Sequence, residues 1–126
     1  MSEVIVFETS NAFRGFNGLS ALSSNSQLNR AARLHSEDQV ANHYFDHTSL
    51  DGRTMIDRAA EQGYTRWSRI GENIAYQYSA IGVNFLDSWV NSSGHRNNIL
   101  GSYKDFGVGF AIGSSTIATQ MFATPA

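Results

Sequence analysis

The sequence predicts an α+β domain in which helices pack against the faces of an antiparallel sheet. Apolar residues recur at helical spacing through the first part of the 126-residue chain, and period-two alternation begins only near its C-terminal end. No internal repeat, linker or low-complexity tract separates these parts, and the only proline is Pro125. This length and continuity predict one domain over residues 1–126.

The first two helices are predicted from apolar spacing and from end signals. Residues 3–16 place valine, alanine and phenylalanine near helical spacing, and Gly18 follows as a stop signal. The segment Ser24–Gln27 has the composition of a capping box, in which the hydroxyl of Ser24 and the amide of Gln27 satisfy free backbone groups. The helix that follows is expected to run to about Tyr44.

Two more helices are predicted in the middle of the chain. One starts near Thr54 and ends at Gly63, whose missing side chain suits a left-handed C-cap. The other starts at Ser79, carries apolar residues three and four apart, and ends at the Ser92–Gly94 break.

Three strands are predicted from β-forming residues and from alternation. Ile70–Tyr76 is expected to form a short strand that carries Glu72 outward or into a site. Phe106–Ile112 and Thr116–Ala123 each alternate with a period of two, and the intervening Ser114–Ser115 turn predicts an antiparallel hairpin. Glycines on one face of the first hairpin strand indicate that another element approaches closely.

The composition excludes several functional classes. The net charge is −2 and the pI is near 6.0, which offers no electrostatic footprint for nucleic acid. The absence of cysteine excludes disulfides, a thiolate nucleophile and cysteine-ligated metal centres. No apolar run approaches the roughly 20 residues of a membrane helix, and the acidic start Met1–Glu3 predicts no secretory leader in this sequence.

The positive charge is mostly arginine and is concentrated in one stretch. Four of the eight arginines are Arg53, Arg58, Arg66 and Arg69. A solvated face is the expected structure of this stretch, and a site for phosphate or anionic lipid is the alternative.

The four histidines are the side chains best suited to bind metal or move protons near neutral pH. His35 lies on the apolar stripe of its helix, which predicts a buried core histidine. His43 and His47 would share one face if that helix ran through Asp46. A zincin needs glutamate directly after its first histidine as a general base, and Tyr44 occupies that position, so a metalloprotease of this type is excluded.

Five blocks in order resemble the bacterial branch of the CAP superfamily, which joins cysteine-rich secretory proteins, antigen 5 and pathogenesis-related proteins. The resemblance spans nearly the whole chain. The blocks are Phe45–Thr54, Gly63–Tyr64, Gly71–Ala75, Trp89–Leu100 and Gly107–Gly109.

The resemblance implies a three-layer α-β-α sandwich with a central antiparallel sheet and a cleft on one side. Two histidines and two acidic residues typically line that cleft, and His47, Glu72 and His95 match three of them. Ser92 stands where many eukaryotic relatives have the second carboxylate. An extracellular or cell-surface location and lipid, sterol or protein ligands are also implied.

The chemistry of these three residues leaves two interpretations open. Two imidazoles and a carboxylate suit zinc or a similar divalent ion, with Glu72 as ligand, as orienting group or as base for a bound water. Alternatively, His47, Glu72 and His95 form a buried hydrogen-bonded network that holds strand to helix. Ser92 and Ser93 are expected at the cleft rim, either contacting a ligand or capping the turn before His95.

Three functions are compatible with these residues. The leading prediction is a secreted module, as the family resemblance implies, that binds a ligand or partner. Catalysis is disfavoured because the second carboxylate is missing. The alternative is a metal-assisted hydrolase of peptides or esters that uses Glu72 as its base. The third is an interaction domain whose cleft has no function.

Overall fold

A computed structural model describes residues 3–77 and 85–126. Those residues form five helices and one four-stranded sheet. The helices are α1 (Glu3–Phe16), α2 (Ser26–Asn42), α3 (Met55–Glu61), α4 (Phe85–Val90) and α5 (Ser93–Ile99). The strands are β1 (Ser23–Ser24), β2 (Trp67–Gln77), β3 (Asp105–Ile112) and β4 (Thr116–Pro125).

The sheet has the order β1-β3-β4-β2. Both β2 and β3 pair with β4 in antiparallel fashion, so the predicted hairpin is confirmed. The two-residue β1, which the sequence pattern did not predict, pairs with β3 in parallel and makes the sheet mixed. The predicted α+β class is confirmed, with β2 forming one edge of the sheet.

Helices cover both faces of the sheet, as the alternation along β4 shows. Thr119 bonds to Ser36 of α2 on one face, with 2.8 Å between their hydroxyl oxygens, and Gln120 donates to Ser10 of α1 on the other over 2.9 Å. One apolar cluster packs around α2 and α3, and the larger one, which includes the buried Trp89, packs around α1, α4 and α5. These are the three layers that the family resemblance implied.

The start of α2 differs from the prediction. Asn25, not Ser24, is the N-cap, and its side-chain oxygen accepts from the backbone N–H of Leu28 over 2.9 Å. Ser24 is unable to take that position because it belongs to β1, where it pairs with Phe106 of β3. The helix ends at Asn42, and His43 adopts a left-handed conformation with φ 56°.

The third helix matches its prediction closely. Thr54 is the N-cap of α3 and forms a capping box with Asp57, and Gly63 follows the helix with φ 90°. Of the fourth predicted helix, Phe85–Val90 is observed as α4, whereas its predicted start at Ser79 lies outside the described residues. No helix in the described parts is long and apolar enough to cross a membrane.

The glycine face of β3 packs directly against the backbone of α2. A Cβ atom at Gly109 would lie 2.1 Å from the backbone nitrogen of Arg33, and one at Gly107 would lie 2.2 Å from the carbonyl carbon of Leu28. The close approach predicted from these glycines is therefore to a helix backbone. It brings α2 down onto β3 and β4, and β4 is the neighbour of β2, the strand that carries the candidate site.

Candidate functional site

The candidate site is built around two consecutive residues of the edge strand β2. Successive side chains of a strand point to opposite faces of the sheet. Glu72 pairs with Met121 across the sheet and contacts α3, whereas Asn73 bonds to Gln120 on the opposite face, with 3.1 Å between Nδ2 and Oε1. The edge of β2 thus presents polar groups on both sides.

Glu72 is buried and both of its carboxylate oxygens are bound. Nη1 of Arg58 donates to Oε2 over 2.6 Å, and Nη2 donates to Oε1 over 3.3 Å. The imidazole of His47 bonds to Oε1 through Nδ1, at 2.9 Å. Arg58 also donates to the backbone carbonyl of His47, so a single guanidinium fixes both the carboxylate and the loop that carries the histidine.

The charges of this cluster reinforce one another. Burial alone would raise the pKa of Glu72, but the hydrogen bonds from His47 and Arg58 outweigh burial and lower it. The bond to Glu72 in turn raises the pKa of His47, against the effect of partial burial. Because an ionised carboxylate only accepts, Nδ1 of His47 carries the proton, and Nε2 is left for other partners.

His95 lies on the other side of the same strand edge. Its backbone carbonyl accepts from Nδ2 of Asn73 over 3.1 Å, and its Nδ1 bonds to the hydroxyl of Ser92 over 2.9 Å. Burial lowers the pKa of His95, and positive charge on His47 lowers it further. Charge on His47 therefore disfavours charge on His95.

The structure brings together much of the predicted site. His47 and Glu72 are in direct contact, and His95 flanks the same edge. Ser92 precedes α5 but makes no side-chain capping bond, because its hydroxyl binds His95 instead, and Ser93 is exposed at the first position of α5.

The donor set suits a metal only in part. Among residues 3–77 and 85–126, no group of three or more histidine, cysteine, aspartate or glutamate side chains is arranged to hold a metal ion. Oε1 of Glu72 accepts two hydrogen bonds and Oε2 accepts one, so an ion would compete with Arg58 and His47 for this carboxylate. His47 and His95 form their hydrogen bonds through Nδ1, so the Nε2 atom of each imidazole remains as a donor to a metal ion.

The other two histidines do not contribute to this site. His35 is buried, as predicted, and its Nε2 lies 2.9 Å from the carbonyl of Asp46. The condition under which His43 and His47 would share a helical face is not met, because α2 ends at Asn42 before His47 is reached.

Arg58 is the residue of this site that the sequence did not predict. Its arginine-rich stretch favoured a solvated face, but Arg58 is only 4% exposed and bound to Glu72. Arg53 pairs at the surface with Asp51 and Glu61, as expected of such a face. The sequence carries no local signal for this role, because Arg58 stands in a short helix whose pattern is the same for a solvated or a buried arginine.

A cavity of about 350 Å³ opens beside His47 and Glu72. Its walls include Thr48 and Met55, Ile70 and Gly71 of β2, and Asn98 and Tyr103. The buried network therefore lies next to a space large enough for a small ligand or a peptide segment.

Comparisons with known proteins find a matching family model and similar individual proteins. The model of a family described as "CAP: Cysteine-rich secretory protein family" matches residues 7–122. Two Bacillus subtilis (strain 168) proteins are similar in sequence. The "Uncharacterized membrane protein YlbC" is 38% identical over 109 residues, which are 86% of this chain and 31% of that protein. The "Uncharacterized protein YkwD" is 36% identical over 118 residues, which are 93% of this chain and 45% of that protein.

A solved structure is also similar. An extracellular protein containing an SCP domain from Bacillus anthracis str. Ames matches with a TM-score of 0.88 and 34% identity. The match covers 97% of this chain and 40% of that chain. The present chain spans less than half the length of these three relatives.

Proposed function

Because this chain belongs to the CAP family of cysteine-rich secretory proteins, we propose that it is a module that binds a ligand or partner at the edge of β2 and does not turn it over. A secreted or surface location is part of this proposal, supported by the similar Bacillus anthracis domain, which belongs to an extracellular protein. Lipid, sterol and protein ligands are the classes that the family suggests.

One observation carries the proposal: both oxygens of the buried carboxylate of Glu72 already accept hydrogen bonds. A general base must have a free lone pair within reach of the proton that it removes and a pKa suited to the task. Glu72 has a lowered pKa, is 4% exposed, and directs both oxygens at Arg58 and His47. This arrangement supports a structural and orienting role over the hydrolase alternative.

Within the same proposal, the imidazoles of His47 and His95 bind a divalent metal, zinc first. Neutral imidazole is a common zinc ligand, and a carboxylate that accepts the other ring proton is the usual support of such a ligand. Glu72 stands in that relation to His47. The bound ion would supply a Lewis-acidic position to a ligand in the cleft, and Glu72 would orient His47 without ligating the ion.

Calorimetric titration of zinc into the purified protein tests the metal proposal. We expect saturable heats for the native chain and none for the double variant His47→Ala, His95→Ala. His43→Asn is the matched control, because it removes an exposed histidine outside the site and asparagine tolerates the left-handed conformation found there. Equal heats for the native chain and the double variant would refute zinc binding at this pair.

A turnover assay separates binding from catalysis. Peptide and ester substrates are incubated with the zinc-loaded native chain and with Glu72→Gln, after circular dichroism has shown that the variant is folded. We expect no turnover by either protein. Turnover by the native chain that Glu72→Gln abolishes would overturn the binding proposal in favour of the hydrolase.

A further inference from the structure

The outer edge of β2 is covered along one half and open along the other. Asn98 donates through Nδ2 to the carbonyl of Glu72, and Trp89 donates through Nε1 to the carbonyl of Ile74, each over 3.1 Å. These two side chains occupy the positions that a further strand would need. Backbone groups of alternate residues point to the same edge, so Ile70 directs its N–H and C=O outward as well. No side chain in the described part of the molecule bonds to them.

The cavity described above lies directly against this open position. Ile70 and Gly71 form its wall on the strand side. The side chain of Tyr103 fills the space that a Cβ at Gly71 would take, with the hydroxyl 2.5 Å from that ideal position. The glycine therefore allows the phenol to reach the strand.

The hydroxyl of Tyr103 has no hydrogen-bond partner within residues 3–77 and 85–126, although the residue is only 7% exposed. Its ring packs on Phe122 with centroids 5.4 Å apart, and the residue lines the cavity wall. The side-chain oxygen of Asn98 lies near the same point, 3.4 Å from the ideal Cβ position of Gly71. Asn98 uses its amide nitrogen on Glu72 and Asn73, which leaves this oxygen as an acceptor.

A donor and a nearby free acceptor at the cavity wall fit an amide group. The phenol hydroxyl can donate to a carbonyl oxygen, and the oxygen of Asn98 can accept from an N–H. A peptide backbone supplies both groups, and its neighbouring amide can pair with Ile70 in the manner of an added strand. Met55 and Ile70 offer apolar contact to one side chain of such a segment.

The charge around the open edge indicates the sign of the charge on that peptide. Arg66 and Arg69 are exposed, and neither guanidinium has an ion pair in the described part of the chain. The guanidinium of Arg69 lies over the ring of Tyr103, 4.8 Å from its centroid, and thus next to the cavity. Unpaired positive charge at the rim favours carboxylates on the incoming segment.

We propose that an extended acidic peptide segment of a partner protein docks on β2 at Ile70, with one backbone amide held between the hydroxyl of Tyr103 and the side-chain oxygen of Asn98. The inference rests on the proposed binding function and names its partner class. Tyr103 is the residue that sets specificity for an amide over a hydrocarbon ligand, because an apolar occupant would leave its hydroxyl without a partner.

The probe is an N-acetylated, C-amidated hexapeptide of alternating glutamate and threonine, titrated into isotopically labelled protein and followed by NMR. We expect saturable shifts in the amide signals of Ile70 and Gly71. The corresponding lysine–threonine peptide, and a glutamate–threonine peptide N-methylated at its central amides, should bind more weakly. Equal binding of the lysine peptide would refute the charge argument, and equal binding of the N-methylated peptide would refute strand-like pairing.

The variant Tyr103→Phe removes only the hydroxyl and should weaken the glutamate peptide by about 2- to 12-fold, as expected for one hydrogen bond. Tyr64→Phe is the matched control: Tyr64 is also 7% exposed, but its hydroxyl donates to Asp105 away from the cavity. An equal loss in both variants, or none in Tyr103→Phe, would overturn the proposal.

Anionic phosphatidylglycerol vesicles form the last arm of the experiment. Vesicle binding that depends on Arg66 and Arg69, without peptide binding, would overturn the inference in favour of a lipid surface. If the peptide fails to bind while zinc still binds, the peptide inference alone is refuted. If zinc binding also fails in the native chain, the proposed metal site is refuted separately.

Discussion

Replacing Arg58 with methionine tests how far the candidate site depends on one buried guanidinium. Methionine keeps an unbranched side chain of similar reach and removes the charge. The change deletes both contacts from Arg58 to the carboxylate of Glu72 and the bond to the carbonyl of His47. Glu72 then stays buried with His47 as its remaining charged partner.

The cost follows from the burial of the pair. The side chains of Arg58 and Glu72 are 4% and 1% exposed. Removing one partner of a buried ion pair destabilises a protein by about 3–5 kcal/mol, and the retained bond to His47 places this case near 3 kcal/mol. An unfolding entropy of about 2.1 cal/mol/K per residue amounts to about 0.26 kcal/mol/K for 126 residues. The expected fall in Tm is therefore about 12 °C.

Differential scanning calorimetry measures this fall. Arg53→Met is the matched control, since Arg53 makes its ion pairs at the surface and its loss should barely change the Tm. The double variant Arg58→Met, Glu72→Leu should recover most of the loss, because no uncompensated charge is left buried. A fall for Arg58→Met no larger than that for Arg53→Met would refute the view that this pair organises the site.

Two further predictions concern the site and the core. Charged His47 stabilises the fold fully below the pKa of an unfolded histidine, and this contribution is lost as the pH rises through the raised pKa of the folded state. In an NMR titration of the imidazole, Glu72→Gln should lower the pKa of His47. An unchanged pKa would contradict the assignment of the shift to Glu72. Gly109→Ala should lower the free energy of unfolding in urea by at least about 1–3 kcal/mol, because the new Cβ would meet the backbone of Arg33. Gly15→Ala is the matched control and should raise it by about 0.5 kcal/mol, because no atom lies within 4 Å of the new Cβ. A stable Gly109→Ala variant would show that α2 can move off the sheet.

Most elements could be predicted because their signals are local. The Thr54 cap and Gly63 define α3 within a few residues of sequence, and alternation defines the β3–β4 hairpin. The cap of α2 was misplaced by one residue because Ser24 takes part in a pairing with β3, more than 80 positions away. A pairing over so many residues produces no signal in the local sequence from which a capping motif is identified.

The candidate site could likewise be predicted only in part from the sequence. The motifs named His47, Glu72 and His95, and the family resemblance placed them in one cleft. They did not reveal that Arg58 holds Glu72, because an arginine in a helix looks the same whether its face meets water or a carboxylate. Nor could they show that the hydroxyl of Tyr103 is left unpaired, since that depends on Gly71 lying beneath it.

The sequence alone thus determined most of the segments that become helices and strands, and which side chains could do chemistry, because cap residues, periodicity and residue type act over a few positions. Tertiary structure decided the state of those side chains. Folding packed α3 against β2, which buried a carboxylate and a guanidinium together. At the open edge of β2 it left a hydroxyl and an amide oxygen facing a cavity. Burial and partnership set pKa values and free hydrogen-bonding capacity, and both are properties of the assembled layers.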